Sequence, residues 1–369
     1  MIRVLHVLGS LSCGGIQTTL MNLYRNIDRS NIQFDFLISL GAKKYYEEEA
    51  RSLGARIFRR PMRTKNPVGN MAGLVRVLKK HPEITIVHIH NATTLIAIDS
   101  LLAMLCNVPV RIAHSHSAPA ISLPMQKTFR PLLRATATHW AGCSTDAGIS
   151  MFGEKIHKSN KWVFLPNAQN LEPFRFDVKR RNDVREKLGL NGKLVLLSAG
   201  RLEPVKNHLF LLEVLACALK EYPELILLIA GEGSLEKALL NKAAGLGATN
   251  FVRLLGIRND IPDLMQAADV FLFPSLHEGF GISAIEAQAA GLPCLLSDTI
   301  PAQAKVTNLV EFLPICQGPE IWAQRILAHK AFSRYDTLED VRNSGYDVME
   351  AVKKLEDFYT GKNIMLEGL

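Results

Sequence analysis

Short apolar runs alternate along this chain with stretches whose apolar residues recur at helical spacing. In the first half the runs fall near 2–8 (IRVLHVL), 33–39, 84–89 (ITIVHI), 110–115 and 161–165 (KWVFL). In the second half they fall near 193–199 (KLVLLSA), 225–230 (LILLIA), 251–255, 269–273 (DVFLF) and 293–296. Strands this continuously apolar have no face left for water, so they belong to parallel sheets covered by helices on both sides. Strands separated by helices throughout predict an α/β fold of two doubly wound, Rossmann-like domains facing each other across a cleft. The stretch PNAQNLEPFRF (166–176), followed by KRRNDVREK, reads as the junction, giving a first domain over 1–168 and a second from 169. In such sheets ligands bind beyond the carboxyl ends of the strands, so the residues just after each strand carry the interest.

Composition narrows the classes. The chain has 369 residues, 48% of them hydrophobic and 21% charged, enough apolar material for two cores and too much for disorder. No apolar run reaches the roughly 18 residues of a membrane span. The N-terminal MIRVLHVLGS reads as a first strand rather than a signal peptide, so a cytoplasmic location is expected. Cys13, Cys106, Cys143, Cys217, Cys294 and Cys316 stand singly with no C-x-x-C, which excludes a zinc ribbon and a disulfide scaffold.

The net charge of +8 divides unevenly: residues 1–165 hold 21 Lys/Arg and 9 Asp/Glu, residues 166–369 hold 22 and 26. The basic excess of the first half gathers at Lys43–Lys44, Arg56/Arg59/Arg60/Arg63/Lys65, Arg76/Lys79/Lys80 and Lys127/Arg130/Arg134. It predicts an anionic partner on that half, either phosphates or an anionic membrane surface, with solvated faces as the plainer account. Nucleic acid is not expected, because neither interleaved aromatics nor a known binding module accompanies the charge.

Four groups of residues carry candidate chemistry. Gly9-Ser-Leu-Ser-Cys-Gly14-Gly15 joins the first strand to a helix, and its free amides suit a phosphate, although it is neither G-x-G-x-x-G nor a P-loop. Ala199-Gly200-Arg201-Leu202-Glu203-Pro204-Val205-Lys206-Asn207 sets two cations at a strand end, matched to a diphosphate, with Asn207 placed to cap the next helix. In Pro274-Ser-Leu-His-Glu278-Gly279-Phe280-Gly281-Ile282-Ser283-Ala284-Ile285-Glu286 a helix from about Gly281 to Gly291 follows a glycine loop, bringing Glu278 and Glu286 to one cleft. Paired carboxylates grip vicinal hydroxyls, as of a sugar and a ribose. His88/His90 and His114/His116 gather at strand ends, where they read as donors to hydroxyls or phosphates ahead of metal ligands. There is no D-x-D to bridge a metal to a diphosphate, and no metal or other cofactor is expected.

GRLEPVKN followed by HEGFGISAIEAQAAGLP, together with the GG loop, RIAHSHS, LPNAQN and LLGIRNDIPDLMQAADVFLFPS, resembles the retaining glycosyltransferases of family 4. Within that family the wording is similar to the bacterial capsular and exopolysaccharide branch. The resemblance implies the GT-B fold, with a last helix (about 345–369) crossing back to an acceptor-binding first domain and a donor-binding domain over 169–344. It implies that Arg201 and Lys206 bind the donor diphosphate, that Glu286 holds the ribose and Glu278 the donor sugar. Amides near Gly279, Phe280, Gly281, Ile282 and Ser283, with Gly200, would meet sugar and phosphate. Ile257 and Arg258 after Gly256 would cradle the base, and Gly14 and Gly15 would close over the donor. His114 or His116 would stand near the anomeric centre, His114 being preferred, with Asn167 on the acceptor side. Gln17 departs from the glutamate many relatives carry after the glycine pair.

The activity so implied is metal-free transfer, with retention, from a nucleotide sugar (UDP, with GDP open) to a glycan or lipid-diphosphate-linked acceptor. An inner-membrane surface would then be a peripheral partner. A nucleotide-sugar epimerase or a sugar phosphorylase is the nearest alternative. A Rossmann oxidoreductase lacks its glycine fingerprint.

Overall fold

A computed structural model describes residues 1–12, 14–41, 45–91, 93–116, 124–159, 161–278 and 281–361. The chain divides into two units: Met1–Asn170 with the chain from Gly345, and Leu171–Ser344.

The first unit is built on seven strands, β1 (Ile2–Val7), β2 (Ile32–Ser39), β3 (Ile57–Arg60), β4 (Ile84–Asn91), β5 (Val110–Ser115), β6 (His139–Gly142) and β7 (Trp162–Phe164). Their order is β3-β2-β1-β4-β5-β6-β7, and every pair is parallel. The second unit has β8 (Leu194–Ala199), β9 (Leu225–Ala230), β10 (Val252–Leu254), β11 (Val270–Phe273), β12 (Cys294–Ser297) and β13 (Val310–Leu313). Their order is β10-β9-β8-β11-β12-β13, again parallel throughout. The α/β class and the doubly wound sheets match expectation. Strands β3, β6 and β13 did not stand out in the sequence. They are short, they mix polar with apolar residues (IFRR, HWAG, VEFL), and two of them are edges.

Strand order reverses between β1 and β4 in one sheet and between β8 and β11 in the other. Neighbouring strands there send their connections to opposite faces, which opens a crevice at the carboxyl ends. The glycine loop follows β1, Gly200–Asn207 follows β8, and Pro274–Gly281 follows β11. The motifs therefore sit at the reversal points because of strand order, which no local pattern reveals.

One face of the first sheet packs against the helices Gly15–Asn26 and Val348–Tyr359. In the latter Val348, Ala351, Val352, Leu355 and Tyr359 are buried at helical spacing. Each fully buried large apolar side chain contributes about 2 kcal/mol. Asp347 caps this helix through Met349 N (2.9 Å), and Glu356 accepts from Asp28 N (2.7 Å). Backbone bonds from Gln169 N to Tyr346 O (3.0 Å) and from Val348 N to Gln169 O (2.9 Å) tie its start to the end of the first unit's main segment. The last helix thus returns to the first unit.

Much of the basic excess is used internally. Arg56 pairs with Asp35 and Glu83, Arg59 with Glu47, and Arg60 and Arg63 with the buried Asp99. The segment 125–140 forms the helix Pro124–Thr136 and β6. There Arg130 donates to Ser150 O (2.7 Å) and Met151 O (3.1 Å), and Arg134 to Phe152 O (2.6 Å). Those carbonyls end the helix Thr145–Phe152, where cations are favoured. Arg130 and Arg134 are thus held at a helix end by bonds to neutral carbonyls and have no carboxylate partner among the described residues. Lys65, Arg76, Lys79 and Lys80 remain exposed and without an ion pair among the described residues. Lys43 and Lys44 lie outside the described residues.

Candidate functional site

In the second unit the site is made by the ends of β8, β9, β10 and β11. Glycines let these ends approach: a Cβ on Gly231 (φ +145) would lie 1.9 Å from Gly200 O, and one on Gly233 would lie 2.5 Å from Leu202 O. Gly231 also donates to Gly256 O (2.8 Å) and so bridges β9 to β10. Gly231 and Gly233 escaped the sequence reading, although the run AGEGS directly after an apolar strand is a visible signal.

Arg201 is exposed at the end of β8 and has no ion-pair partner among the described residues. Lys206 is different. Its Nζ lies 2.5 Å from Glu278 Oε1 and 4.8 Å from the centre of the Phe273 ring. The loops after β8 and β11 are joined by a bond from Leu276 N to Val205 O (2.8 Å), which holds the two charged side chains in register. Asn207 does not cap the next helix as expected. It occupies the N-cap position of His208–Leu219, but in a left-handed conformation (φ 56°) with no side-chain capping bond. The turn Pro204–Lys206 takes up its backbone, and this turn aims Lys206 back along the strand end.

The helix after β11 spans Ile282–Ala289. Gly281 is its N-cap at φ 91°, a conformation disfavoured for other residues, and it offers no side chain. The amides of Ile282 and Ser283 are thus left at an open, positive helix end. Gly279 and Phe280 lie outside the described residues. Glu286, just over one turn inside, is partly exposed as a residue, yet burial of its carboxyl pushes its pKa up to about 8. Among the described residues it has no hydrogen-bond or ion-pair partner, unlike Glu278. Ile257 is 67% exposed beside β10, while Arg258 is turned onto Asp260 by two bonds of 2.7 and 2.5 Å.

In the first unit the helix Gly15–Asn26 has Gly14 at its N-cap and no side-chain cap. Gln17, the departure noted above, folds back: Nε2 donates to Ser10 O (3.3 Å), and Oε1 occupies the space a Cβ on Gly14 would take.

The histidines form a larger array than their sequence pairs suggest. Parallel register sets His6 beside His88 and His90 beside His114, all on the face covered by the C-terminal helix. His6 was missed because a lone histidine in an apolar strand carries no signal. One chain of bonds runs His6 Nδ1 to His90 Nε2 (2.9 Å), His90 Nδ1 to His116 Nε2 (2.8 Å) and His116 Nδ1 to Asn167 Oδ1 (3.4 Å). A second runs Tyr359 Oη to His88 Nδ1 (2.6 Å) and His88 Nε2 to His114 Nδ1 (3.1 Å). Burial lowers His6 to about 3 and His116 to about 4, and drives His88, His90 and His114 well below the ordinary value, helped by their neighbours' charge. All five are neutral near pH 7.

Two triads, His6/His88/His90 and His90/His114/His116, have ligand atoms within 4.8 Å of one another. Metal–nitrogen bonds of about 2.0–2.1 Å would need these nitrogens to converge on one point. Instead most of them are committed to each other, and no carboxylate in either triad offsets a cation's charge. His114 and His116 are thus both placed in the array, with different partners.

A family model described as "Glycosyl transferases group 1" matches residues 180–312, and one described as "Glycosyltransferase Family 4" matches residues 13–145. The chain is 34% identical to EpsF of Bacillus subtilis (strain 168), which is named as a glycosyltransferase, across 97% of this chain and 96% of that one. It is 27% identical, over 97% and 96%, to the UDP-Gal:alpha-D-GlcNAc-diphosphoundecaprenol alpha-1,3-galactosyltransferase of Escherichia coli. Among solved structures, Anabaena Alr3699/HepE in complex with UDP has the same fold, with a TM-score of 0.79 at 17% identity over 98% and 100% of the two chains.

Proposed function

The chain belongs to the group 1 glycosyltransferases, and from that membership we propose that it moves a sugar, with retention and without a metal ion, from a UDP-sugar to a lipid-diphosphate-linked glycan. The observation that carries this reading is the convergence, at the β8/β11 reversal, of Arg201, which has no ion-pair partner among the described residues, of Lys206, which is paired with Glu278, and of the open amides of Ile282 and Ser283. Three positive elements at one strand-end crevice suit a diphosphate leaving group and stabilise the charge it gains as the glycosidic bond breaks. Arg201 supplies a planar fork for two phosphate oxygens and Lys206 a point charge. With that charge met by the protein, a metal bridge is not required.

Glu286 takes the ribose hydroxyls, and Glu278 the hydroxyls of the transferred sugar. UDP is favoured by the donor in the E. coli relative's name and by the ligand in the HepE structure. The acceptor class follows the same relative, whose name specifies a diphosphoundecaprenol-linked sugar. We infer a front-face route, in which a donor phosphate oxygen takes the acceptor's proton. Exposed Lys65, Arg76, Lys79 and Lys80 are among the cations that would meet an anionic membrane surface.

The test is a thermal-shift panel of UDP- and GDP-sugars on wild type and Glu286→Ala, followed by product analysis with undecaprenyl-diphosphate-linked sugars. Selective stabilisation of wild type by UDP-sugars and a product of retained configuration are expected. No selective stabilisation, or acceptor-independent conversion of the donor to an epimer, would sink the proposal.

A further inference from the structure

We propose that Tyr359, on the C-terminal helix, acts through His88 to hold the proton of His114 on Nε2, so that His114 offers a neutral N–H donor and not a base. This rests on the reading above only in treating His114 as a site residue.

The argument begins with the phenol. Tyr359 is 5% exposed, and among the described residues its hydroxyl has one partner, His88 Nδ1 at 2.6 Å. At 2.6 Å the contact is shorter than the roughly 2.7–3.2 Å of an N–H donor and falls within the roughly 2.5–3.0 Å of an O–H donor. The phenol therefore donates, and His88 Nδ1 is a lone pair. A neutral imidazole carries its single proton on the other nitrogen. His88 Nε2–H then donates to His114 Nδ1 at 3.1 Å, which makes that nitrogen an acceptor in turn. The proton of His114 is left on Nε2.

Burial keeps each ring neutral, so no second proton relaxes the sequence of donors and acceptors. Among the described residues the buried His114 Nε2 has no hydrogen-bond partner, so the relay ends there on an N–H with nothing to donate to. The backbone of Leu165 raises the His114 pKa, against the larger effect of burial, and no hydrogen bond among the described residues reaches Nε2. A buried N–H of this kind suits a hydroxyl or phosphate oxygen. The other chain, from Asn167 to His6, makes no hydrogen bond to Tyr359 and leaves this assignment alone.

Tyr359 and His88 lie 271 residues apart. The helix that returns to the first unit therefore does more than cover a sheet: it sets the state of a side chain on the strand next to the one it bonds. Tyr359 is a positioning residue.

The experiment is a long-range proton–nitrogen correlation spectrum of the full chain labelled with nitrogen-15 histidine, on wild type and Tyr359→Phe, with His114→Gln for assignment. Wild-type His114 is expected neutral with its proton on Nε2 from pH 6 to 8. In Tyr359→Phe, which keeps the ring and loses only the hydroxyl, a mixture of both tautomers is expected. A wild-type His114 that is charged or protonated on Nδ1 overturns the proposal, and that spectrum decides even if the variant fails to fold. An unchanged tautomer in a folded Tyr359→Phe overturns the role of the phenol. Loss of turnover from UDP-glucose and UDP-galactose in a protein with the expected spectrum would count against the transferase reading and leave the relay standing.

Discussion

Lys206 Nζ lies 2.5 Å from Glu278 Oε1, with the two side chains 16% and 13% exposed. The two residues stand at the ends of neighbouring strands at the reversal of the second sheet. One is proposed for the diphosphate and the other for the sugar, so the pair places both ends of a donor within one ion pair's length. Removing either partner of such a pair leaves a poorly hydrated charge behind.

The two residues should therefore separate on mutation. Lys206→Ala strands the Glu278 carboxylate, and we expect a loss on the order of 2 kcal/mol in stability with UDP affinity falling at least tenfold. Glu278→Gln frees the lysine, so UDP should bind as well as in wild type or better, while kcat with the sugar donor falls roughly 100-fold. Calorimetric titration with UDP, beside denaturant unfolding, checks both. Equal loss of UDP affinity in the two variants would refute the division of roles.

Arg201 has no partner to strand. Arg201→Ala should leave Tm within about 1–2 °C of wild type, because an exposed, unpaired side chain contributes little to stability. Removing one preorganised charge from a leaving group costs about 100-fold in kcat. A Tm drop of several degrees would show that the guanidinium is structural.

Glu286 titrates near pH 8, so it is mostly protonated at pH 7. Its folded value is raised, so the stability it contributes is complete below about 4.5 and is lost as pH rises through about 8. Ribose hydroxyls donating to the carboxylate would favour its charged form. UDP binding at pH 7 should then release close to one proton, measurable by titration in buffers of different ionisation enthalpy. Glu286→Gln should release none. Identical proton release in both proteins would mean another group carries it.

The buried histidines predict the opposite slope. His6, His88, His90, His114 and His116 have lowered folded values, so their contribution is complete above about 6.5 and is lost as pH falls toward about 3–4, the folded values of His6 and His116. Each group that takes up a proton only on unfolding adds about 1.4 kcal/mol per pH unit. Thermal unfolding followed by circular dichroism should show Tm falling steeply between pH 6.5 and 5. A flat Tm over that interval would contradict the neutral array.

Arg134 tests where the basic excess goes. Its bonds to Phe152 O hold the end of the helix Thr145–Phe152, so Arg134→Ala should lower stability by about 1–2 kcal/mol. Flotation with anionic liposomes should be unchanged by Arg134→Ala and weakened by charge reversal at Lys79 and Lys80. The reverse pattern would return Arg134 to the surface.

The legible part of this protein was local. Apolar runs marked the central strands, and Gly281 and Gly291 bracketed a helix that the structure places at Ile282–Ala289. Edge strands such as Ile57–Arg60 were hidden because half of their residues are charged and serve ion pairs. Asn207 was misread because capping depends on backbone conformation, and φ 56° turns its side chain away from the helix amides.

The residues themselves decided the α/β class, the two sheets and the identity of Arg201, Lys206, Glu278 and Glu286 as candidates, since periodicity and loop chemistry act over a few residues. What only the tertiary structure decided were the relations across strands. Lys206 meets Glu278, His6 joins His88 and His90, Tyr359 reaches His88, and Arg130 and Arg134 close a helix end. Strand order and register set these distances, and in a parallel sheet neighbouring strands are separated in sequence by whole helices. No local pattern encodes which strand will lie next to which.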